Sequence, residues 1–465
     1  MIPPALGAVL AAAKQRQARR LTELLDWLAI PSVSADPRHT DDVRRAARWL
    51  ASWQRARGAT VDLRPTRNGR DVVVARWPAA PGARQVVIYG HYDVQPAGPG
   101  WSSHPFRPVI RDGVIYARGA NDDKGQLFAH LCALDAWPGV LPAEVVVIAE
   151  GAEEVGSPGF AQVLGELRGL RPTAVIVSDT ERYDDGTPTV TIGQRGRLAA
   201  SLTVDTGGTA VHAGRLGGAV VDPSLVLAEA LRILQAELFA DAVAVRSSAT
   251  LRTDNSIKRA APGRATIGRG LDKRITLRGS VGVTQLVAGT GGASLPSRAV
   301  ATLDVRLPPR SDPADVVLRA RRLLSTFAPH VELRFTGGVP AIETAPDDFV
   351  RQAVHQACIA IVGRPPVDVR SGGTIPAVGI LSRALRIRPL LLGFGPPAGN
   401  AHGPDEAMDI AGWAAGVQLS AALLSALTRP IGAEPVPVLR RKDHHGGIRQ
   451  FRCGQLPVQL EGEGR

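Results

Sequence analysis

The chain has 465 residues, 44% of them hydrophobic, with three cysteines and a net charge of +12 carried almost entirely by arginine. That length exceeds one ordinary domain and allows a substantial core, so two domains of unequal size are expected. The arginines are scattered and only 4% of residues are aromatic, which argues against a base-stacking nucleic-acid surface.

The cysteines (Cys132, Cys358, Cys453) lie far apart and exclude a disulfide framework. Cys132 and Cys358 sit in apolar, helix-like stretches and read as small core residues. The N-terminus runs from apolar (Leu6–Ala13) to basic (Lys14–Arg20), the reverse of a secretory signal. No uninterrupted run of about 18 apolar residues appears. A cytoplasmic protein is expected, with neither a membrane nor a nucleic acid as partner.

In chain order, Leu21–Ile30 has helical spacing and stops at Pro31. Asp41–Arg57 reads as an amphipathic helix with Thr40 or Asp41 as N-cap. Asp71–Arg76 and Gln85–Tyr89 are short apolar strands, with His91 just past the second. Lys124–Trp137 is a helix, and the valine-rich Glu144–Ala149 is a central strand. Helix Pro158–Leu167 and strand Ala174–Val177 follow. Strands alternating with helices indicate an α/β sheet with helices on both faces.

Around Gly193–Arg197 the pattern changes. Leu198–Thr206 and Ala299–Arg306 alternate as half-exposed strands do, and Val331–Phe335 is a strand. Pro223–Leu238 and Pro313–Phe327 are helical, while the basic Asn255–Gly270 reads as a loop. These features fit a smaller α+β unit built on an antiparallel sheet. Apolar helices and a buried strand then return as helix Asp347–Val362, strand Leu390–Leu392 and helix Ile410–Leu427. The expected division is a discontinuous first domain of mixed sheet (1–193 and 340–428), an insert (194–339) and a flexible tail (429–465). A His444–His445 pair in that tail reads as incidental.

Three motifs carry the chemistry: G-H-Y-D-V-Q-P at Gly90–Pro96, R-G-A-N-D-D-K-G at Arg118–Gly125 and E-G-A-E-E-V-G-S at Glu150–Ser157. V-S-D-T at Val177–Thr180 and A-H-G-P-D-E at Ala401–Glu406 extend the set. In open α/β sheets functional groups gather at the carboxyl ends of strands. His91, Glu153, Glu154, Asp179 and His402 all follow apolar, strand-like runs, and Asp122 precedes a helix. Taken alone, Asp122 and Asp123 read as caps of that helix, and Glu153–Glu154 as a solvated pair. Recurrence at one end of successive strands favours a set of nitrogen and oxygen ligands suited to a two-metal hydrolase.

With G-Q-R-G at Gly193–Gly196 and S-G-G-T-I-P at Ser371–Pro376, the ordered motifs over roughly Leu21–Ala426 resemble one known family. It is the co-catalytic zinc exopeptidase family of carnosinase-type dipeptidases, aminoacylase, acetylornithine deacetylase and succinyl-diaminopimelate desuccinylase. H-Y-D-V-Q-P with D-D-K-G looks most like the dipeptidase branch. The resemblance implies that Asp122 bridges two divalent metal ions. His91 and Asp179 would complete one ion's ligands, and Glu154 and His402 the other's. Zinc fits, and manganese or cobalt also suits such donors. Asp93 would clamp the other nitrogen of His91, and a cis peptide is expected at Asp122–Asp123. Glu153 would be the general base.

The resemblance further implies that His212, in T-A-V-H-A-G, stabilises an oxyanion across a homodimer formed through the insert, which also serves as a lid. Here Ala210, Val211 and Ala213 stand where the family more often has aspartate, leucine and serine. Arg306, Gly372, Gly373 and Thr374 would bind the substrate's carboxylate. The expected activity is hydrolysis of a dipeptide or similar small peptide. N-acyl amino-acid deacylation by the same site is the alternative.

Overall fold

The computed structural model describes residues 4–428, apart from 68, 168, 241–246, 251–264, 267, 268, 290 and 328. Most of the basic stretch Asn255–Gly270, and all of Arg429–Arg465 with Cys453, His444 and His445, lie outside the described residues.

A nine-stranded sheet organises the larger part. Its order is Thr60–Arg64, Val72–Trp77, Glu144–Glu150, Gln85–His91, Ala174–Val177, Leu390–Gly393, Thr189–Gln194 and Ile342–Glu343, with Val367–Ser371 paired to Thr189–Gln194. The four strands 144–150, 85–91, 174–177 and 390–393 run parallel. Val72–Trp77 is antiparallel to its neighbour, so the sheet is mixed.

Successive residues of these strands feed opposite cores, as a two-residue period requires. Val86, Ile88, Val145 and Val147 face one cluster, which includes Trp27, Phe128 and Trp413 from helices Pro4–Leu28, Lys124–Asp135 and Ile410–Leu427. Val87, Tyr89, Val146 and Ile148 face the other, with Phe160, Val163, Val378 and Leu381 from helices Phe160–Glu166 and Pro376–Leu385. Both faces of the sheet are thus covered. The buried Lys124 ammonium donates to the Trp27 (3.1 Å) and Ile30 (2.8 Å) carbonyls, tying the first helix's end to the D-D-K-G turn.

A second, four-stranded antiparallel sheet lies within Gly196–Val339, in the order Ser280–Ala288, Arg298–Leu307, Gly196–Asp205, Val331–Val339. Gly196–Asp205 alternates buried and accessible residues along its length. Leu198, Ala200, Leu202 and Val204 pack with Leu227 and Leu234 of helix Pro223–Glu237 and Val316 and Leu324 of helix Pro313–Leu324.

The structure departs from the expectations of the sequence in several places. The first helix spans Pro4–Leu28, because the basic run Lys14–Arg20 consists of good helix formers. The second begins at Thr40 behind a 3-10 turn, with His39 at the N-cap and no side-chain cap bond. His91 is the last residue of its strand, and Asp123 sits at an N-cap without capping the helix through its side chain. Helix Ile410–Leu427 is long and apolar enough by composition to cross a bilayer, despite Gln418 and Ser420. Two-thirds of it (67%) is buried in the core just described.

Candidate active site

The parallel strands end on a common side of the sheet, where each valine-rich run gives way to polar residues. Strand Gln85–His91 delivers His91 directly, and Glu144–Glu150 leads into a 3-10 turn, Glu153–Val155. Ala174–Val177 leads to Asp179 two residues on. Asp122 stands on the turn before helix Lys124–Asp135, and its peptide bond to Asp123 is cis. His402 occupies a loop in which Asn400, His402 and Asp405 all have positive φ (50°, 65° and 54°). That conformation is costly for non-glycine residues and persists where surrounding contacts impose it.

These residues converge as two triads that share Asp122. His91, Asp122 and Asp179 offer donor atoms within 4.8 Å of one another, and so do Asp122, Glu154 and His402. His91 Nε2 lies 3.0 Å from Asp122 Oδ1 and 3.9 Å from Asp179 Oδ2. His402 Nε2 lies 2.9 Å from Asp122 Oδ2 and 3.2 Å from Glu154 Oε2. One carboxylate thus turns one oxygen to each imidazole.

Asp93 organises the floor of the site. Its carbonyl accepts from His91 Nδ1 at 3.0 Å, and its carboxylate Oδ1 lies 3.4 Å from the same nitrogen. With Nδ1 engaged by Asp93, Nε2 is the ring nitrogen turned to the acidic cluster, where it carries a proton towards Asp122 and would offer a lone pair only to a bound cation. The Asp93 carboxylate also accepts the Glu153 (3.2 Å) and Glu154 (3.1 Å) backbone amides, fixing the adjacent glutamates. Gln95 Nε2 donates to Glu154 Oε2 at 2.8 Å.

The electrostatics show a deficit of positive charge. Burial, then repulsion from Asp122, pushes the Asp179 carboxyl well above its ordinary range, and the same two causes raise Glu154. Burial and Glu154 raise Glu153. Burial alone would lower His91, but hydrogen bonds to Asp122 and Asp93 carry it well above its ordinary value. Hydrogen bonds to Asp122 and Glu154 push His402 up to about 10. Carboxylates that crowd together around imidazole nitrogens are the donor chemistry of a divalent-cation site. The residues present therefore fit two ions, and each triad could hold one.

Behind the Glu153 turn, Glu150 is buried and accepts from Tyr89 Oη (2.7 Å) and Ser157 Oγ (2.8 Å). Burial pushes its carboxyl from 4.5 up to about 7. The raised value favours the protonated acid in the folded state, so its stabilisation is complete below pH 4.5 and lost as the pH rises through about 7. Glu150→Gln keeps an acceptor for both hydroxyls and cannot ionise. In urea titrations of the metal-free protein, the wild type is expected to lose stability relative to this variant across that window, by about 1.4 kcal/mol per pH unit.

The expected carboxylate-binding residues come together from distant parts of the chain. Arg306 Nη1 donates to Thr374 Oγ1 at 3.4 Å, and Thr374 Oγ1 donates to the Arg195 carbonyl at 2.6 Å. Asp304 holds the Arg306 guanidinium through Nε at 2.6 Å. The Gly373 amide is already engaged by Ser371 Oγ at 3.0 Å. Arg195, the arginine of G-Q-R-G, donates to the Gly372 carbonyl at 3.2 Å and to the Arg278 carbonyl at 3.0 Å. Burial, then Arg306, lowers it to about 10.

His212 lies on a two-residue strand paired with Ser294–Leu295 and is exposed. Its Nδ1 accepts the Gly214 amide at 3.1 Å. Among the described residues no hydrogen bond or ion pair joins it to the acidic cluster. Sequence reasoning assigns no role to Glu406, the last residue of A-H-G-P-D-E, which is fully buried beneath Asp122.

Residues 87–426 match peptidase family M20/M25/M40. The chain is 26% identical over 448 residues to the Cys-Gly metallodipeptidase dug1 of Schizosaccharomyces pombe, covering 86% of this chain and 93% of that protein. It is 26% identical over 424 residues to the cysteinylglycine-S-conjugate dipeptidase of Corynebacterium striatum, covering 85% and 92%. Its fold matches the di-peptidase Dug1p of Saccharomyces cerevisiae with a TM-score of 0.79 at 22% identity, over 91% of this chain and 98% of that one. With most of its length matched to one family, and with motifs that converge as two triads in the fold of those enzymes, this chain belongs to peptidase family M20/M25/M40.

Proposed function

We propose that the protein is a two-ion metallodipeptidase that hydrolyses the amide bond of dipeptides or similar small peptides, with Glu153 as general base. The observation that carries this reading is the shared Asp122, whose two oxygens face His91 and His402 separately (3.0 and 2.9 Å). His91 and Asp179 would hold one ion and Glu154 and His402 the other. Imidazole and carboxylate donors suit zinc, and also accept manganese or cobalt. Divalent cations in such a site polarise a carbonyl and make water acidic enough to be deprotonated near neutral pH.

The chain's own groups supply the rest. Glu153 belongs to neither triad and so keeps its carboxylate for proton transfer. It takes a proton from the attacking water and delivers it to the leaving amine nitrogen. Asp93 keeps His91 oriented and the Glu153 turn in register. Arg306, with the Gly373–Thr374 loop beside it, receives the substrate's free carboxylate at the junction of the two sheets.

Residues 194–339 act as a lid and dimerisation domain between the catalytic parts 1–193 and 340–428. Strand Ser280–Ala288 supports this, since it is an edge of its sheet and leaves Val283, Leu286 and Val287 exposed. In a homodimer His212 reaches the partner's site and stabilises the oxyanion on the substrate carbonyl. The two relatives described above, each aligned over most of the chain, are named as dipeptidases, which favours dipeptides over N-acyl amino acids.

The test compares dipeptides with the same dipeptides amidated at the C-terminus. The wild type should prefer the free acid. Arg306→Ala is expected to raise KM for the free acid by about 10–100-fold, with kcat changed far less. The amidated substrate should not discriminate the two proteins. Equal turnover of acid and amide by the wild type would refute the carboxylate role.

A further inference from the structure

The two triads are built from loops far apart in sequence, and one buried ion pair joins those loops. Glu406 is 0% exposed and its two carboxylate oxygens receive four N–H donors. Oε2 accepts Arg118 Nη1 at 2.7 Å and the Gly119 amide at 3.0 Å. Oε1 accepts the Asn121 amide at 2.9 Å and the Asp122 amide at 3.0 Å. The Glu406 carbonyl in turn accepts the Ala117 amide at 3.0 Å. The whole turn from Ala117 to Asp122 is therefore shaped around this one residue.

Arg118, 1% exposed, completes the junction. Its Nη2 donates to the His402 carbonyl at 3.2 Å and to the Pro96 and Ala97 carbonyls at 3.2 and 3.3 Å. Those last two carbonyls belong to the segment that follows His91 and Asp93. A single guanidinium, rooted in the turn that leads to Asp122, thus touches the loop that carries His402 and the segment that follows His91. The oxygens of Glu406 are taken by N–H donors, so it is no ligand itself.

We propose that Arg118 and Glu406 are positioning residues that set the spacing of the two triads and so make occupancy by two ions possible. Glu406 fixes the Asp122 backbone, which both triads share. Arg118 bonds the backbone of a ligand directly only at His402, which one triad uses. Towards the other it reaches only the Pro96 and Ala97 carbonyls, which lie past His91 and belong to no ligand. The inference rests on the two-ion reading above, and it assigns the two residues different effects. A merely structural ion pair would weaken both sites equally and in step with folding.

The experiment is a stepwise Co2+ titration of the full-length metal-free protein, followed by absorption, with a thermal midpoint for each variant. His402→Ala identifies the step that belongs to the Glu154–His402 triad. Glu406→Gln keeps the volume but turns an NH2 towards the amide donors. It is expected to weaken both steps by roughly 10–100-fold. Arg118→Lys keeps the charge and loses the fork that reaches the His402 carbonyl. It is expected to weaken the Glu154–His402 step by about tenfold or more, and the other by less than about threefold. Wild-type affinities in both variants, or equal weakening of both steps by Arg118→Lys, would overturn the proposal. If Glu406→Gln does not fold, the asymmetry in Arg118→Lys decides alone. A wild type that binds fewer than two ions would instead overturn the two-ion reading, and this inference with it.

Discussion

Replacing Glu153 by alanine is expected to lower kcat by roughly 10²–10⁴-fold while the protein retains both ions. The separation follows from geometry. Glu153 lies beside Glu154, yet only Glu154 belongs to a triad. The two amides are fixed by the two oxygens of Asp93 (3.2 and 3.1 Å), so removing the Glu153 side chain leaves that backbone anchored. The lost function is a proton acceptor and donor at one position. Glu153→Asp keeps the carboxylate but withdraws it by one methylene, and should fall between alanine and wild type. Metal content by mass spectrometry and dipeptide turnover on the same samples make the comparison. A Glu153→Ala protein with both ions and wild-type turnover would assign the base elsewhere.

Asp122→Asn should remove far more than one ligand. Its oxygens face His91 and His402 separately, so an amide nitrogen on either side spoils one triad, and loss of charge weakens both. Metal affinity is expected to fall by more than about 100-fold at both sites, beyond the range seen when outer-shell partners are changed. Turnover should fall to background. The Asp122 amide still donates to Glu406, so the turn itself should survive and the folded state can be checked by its thermal midpoint. Asp179→Asn, by contrast, should weaken one ion and spare the other. Equal effects of Asp122→Asn and Asp179→Asn would contradict the bridging role.

Much of this site is legible in the sequence because of where it sits. Runs such as Val86–Tyr89 and Val145–Ala149 are apolar on both faces, so their ends are easy to find, and His91, Glu154 and Asp179 follow those ends. Asp122 and His402 lie in loops, and their motifs and order single them out. What the sequence hides has a different physical origin. Glu406 and Arg118 act through contacts between residues 288 apart in sequence, and a carboxylate saturated by backbone amides leaves no local pattern. Arg195 is a buried cation satisfied by carbonyls, which sequence cannot pair with it. Strand Ser280–Ala288 escapes a pattern search because an exposed edge lacks clear alternation. The first helix reads too short because its basic middle resembles a solvated segment, whereas Arg16, Arg20 and Arg57 pair with Glu23 and Asp135 across it.

The most direct test of the account is a hydrolysis screen of the full chain reconstituted with zinc or manganese. Products from dipeptides, longer peptides and N-acyl amino acids would be followed by mass spectrometry. The account predicts cleavage of dipeptides bearing a free carboxylate, abolished by Glu153→Ala. Turnover confined to N-acyl amino acids, or none at all with two ions bound, would contradict it.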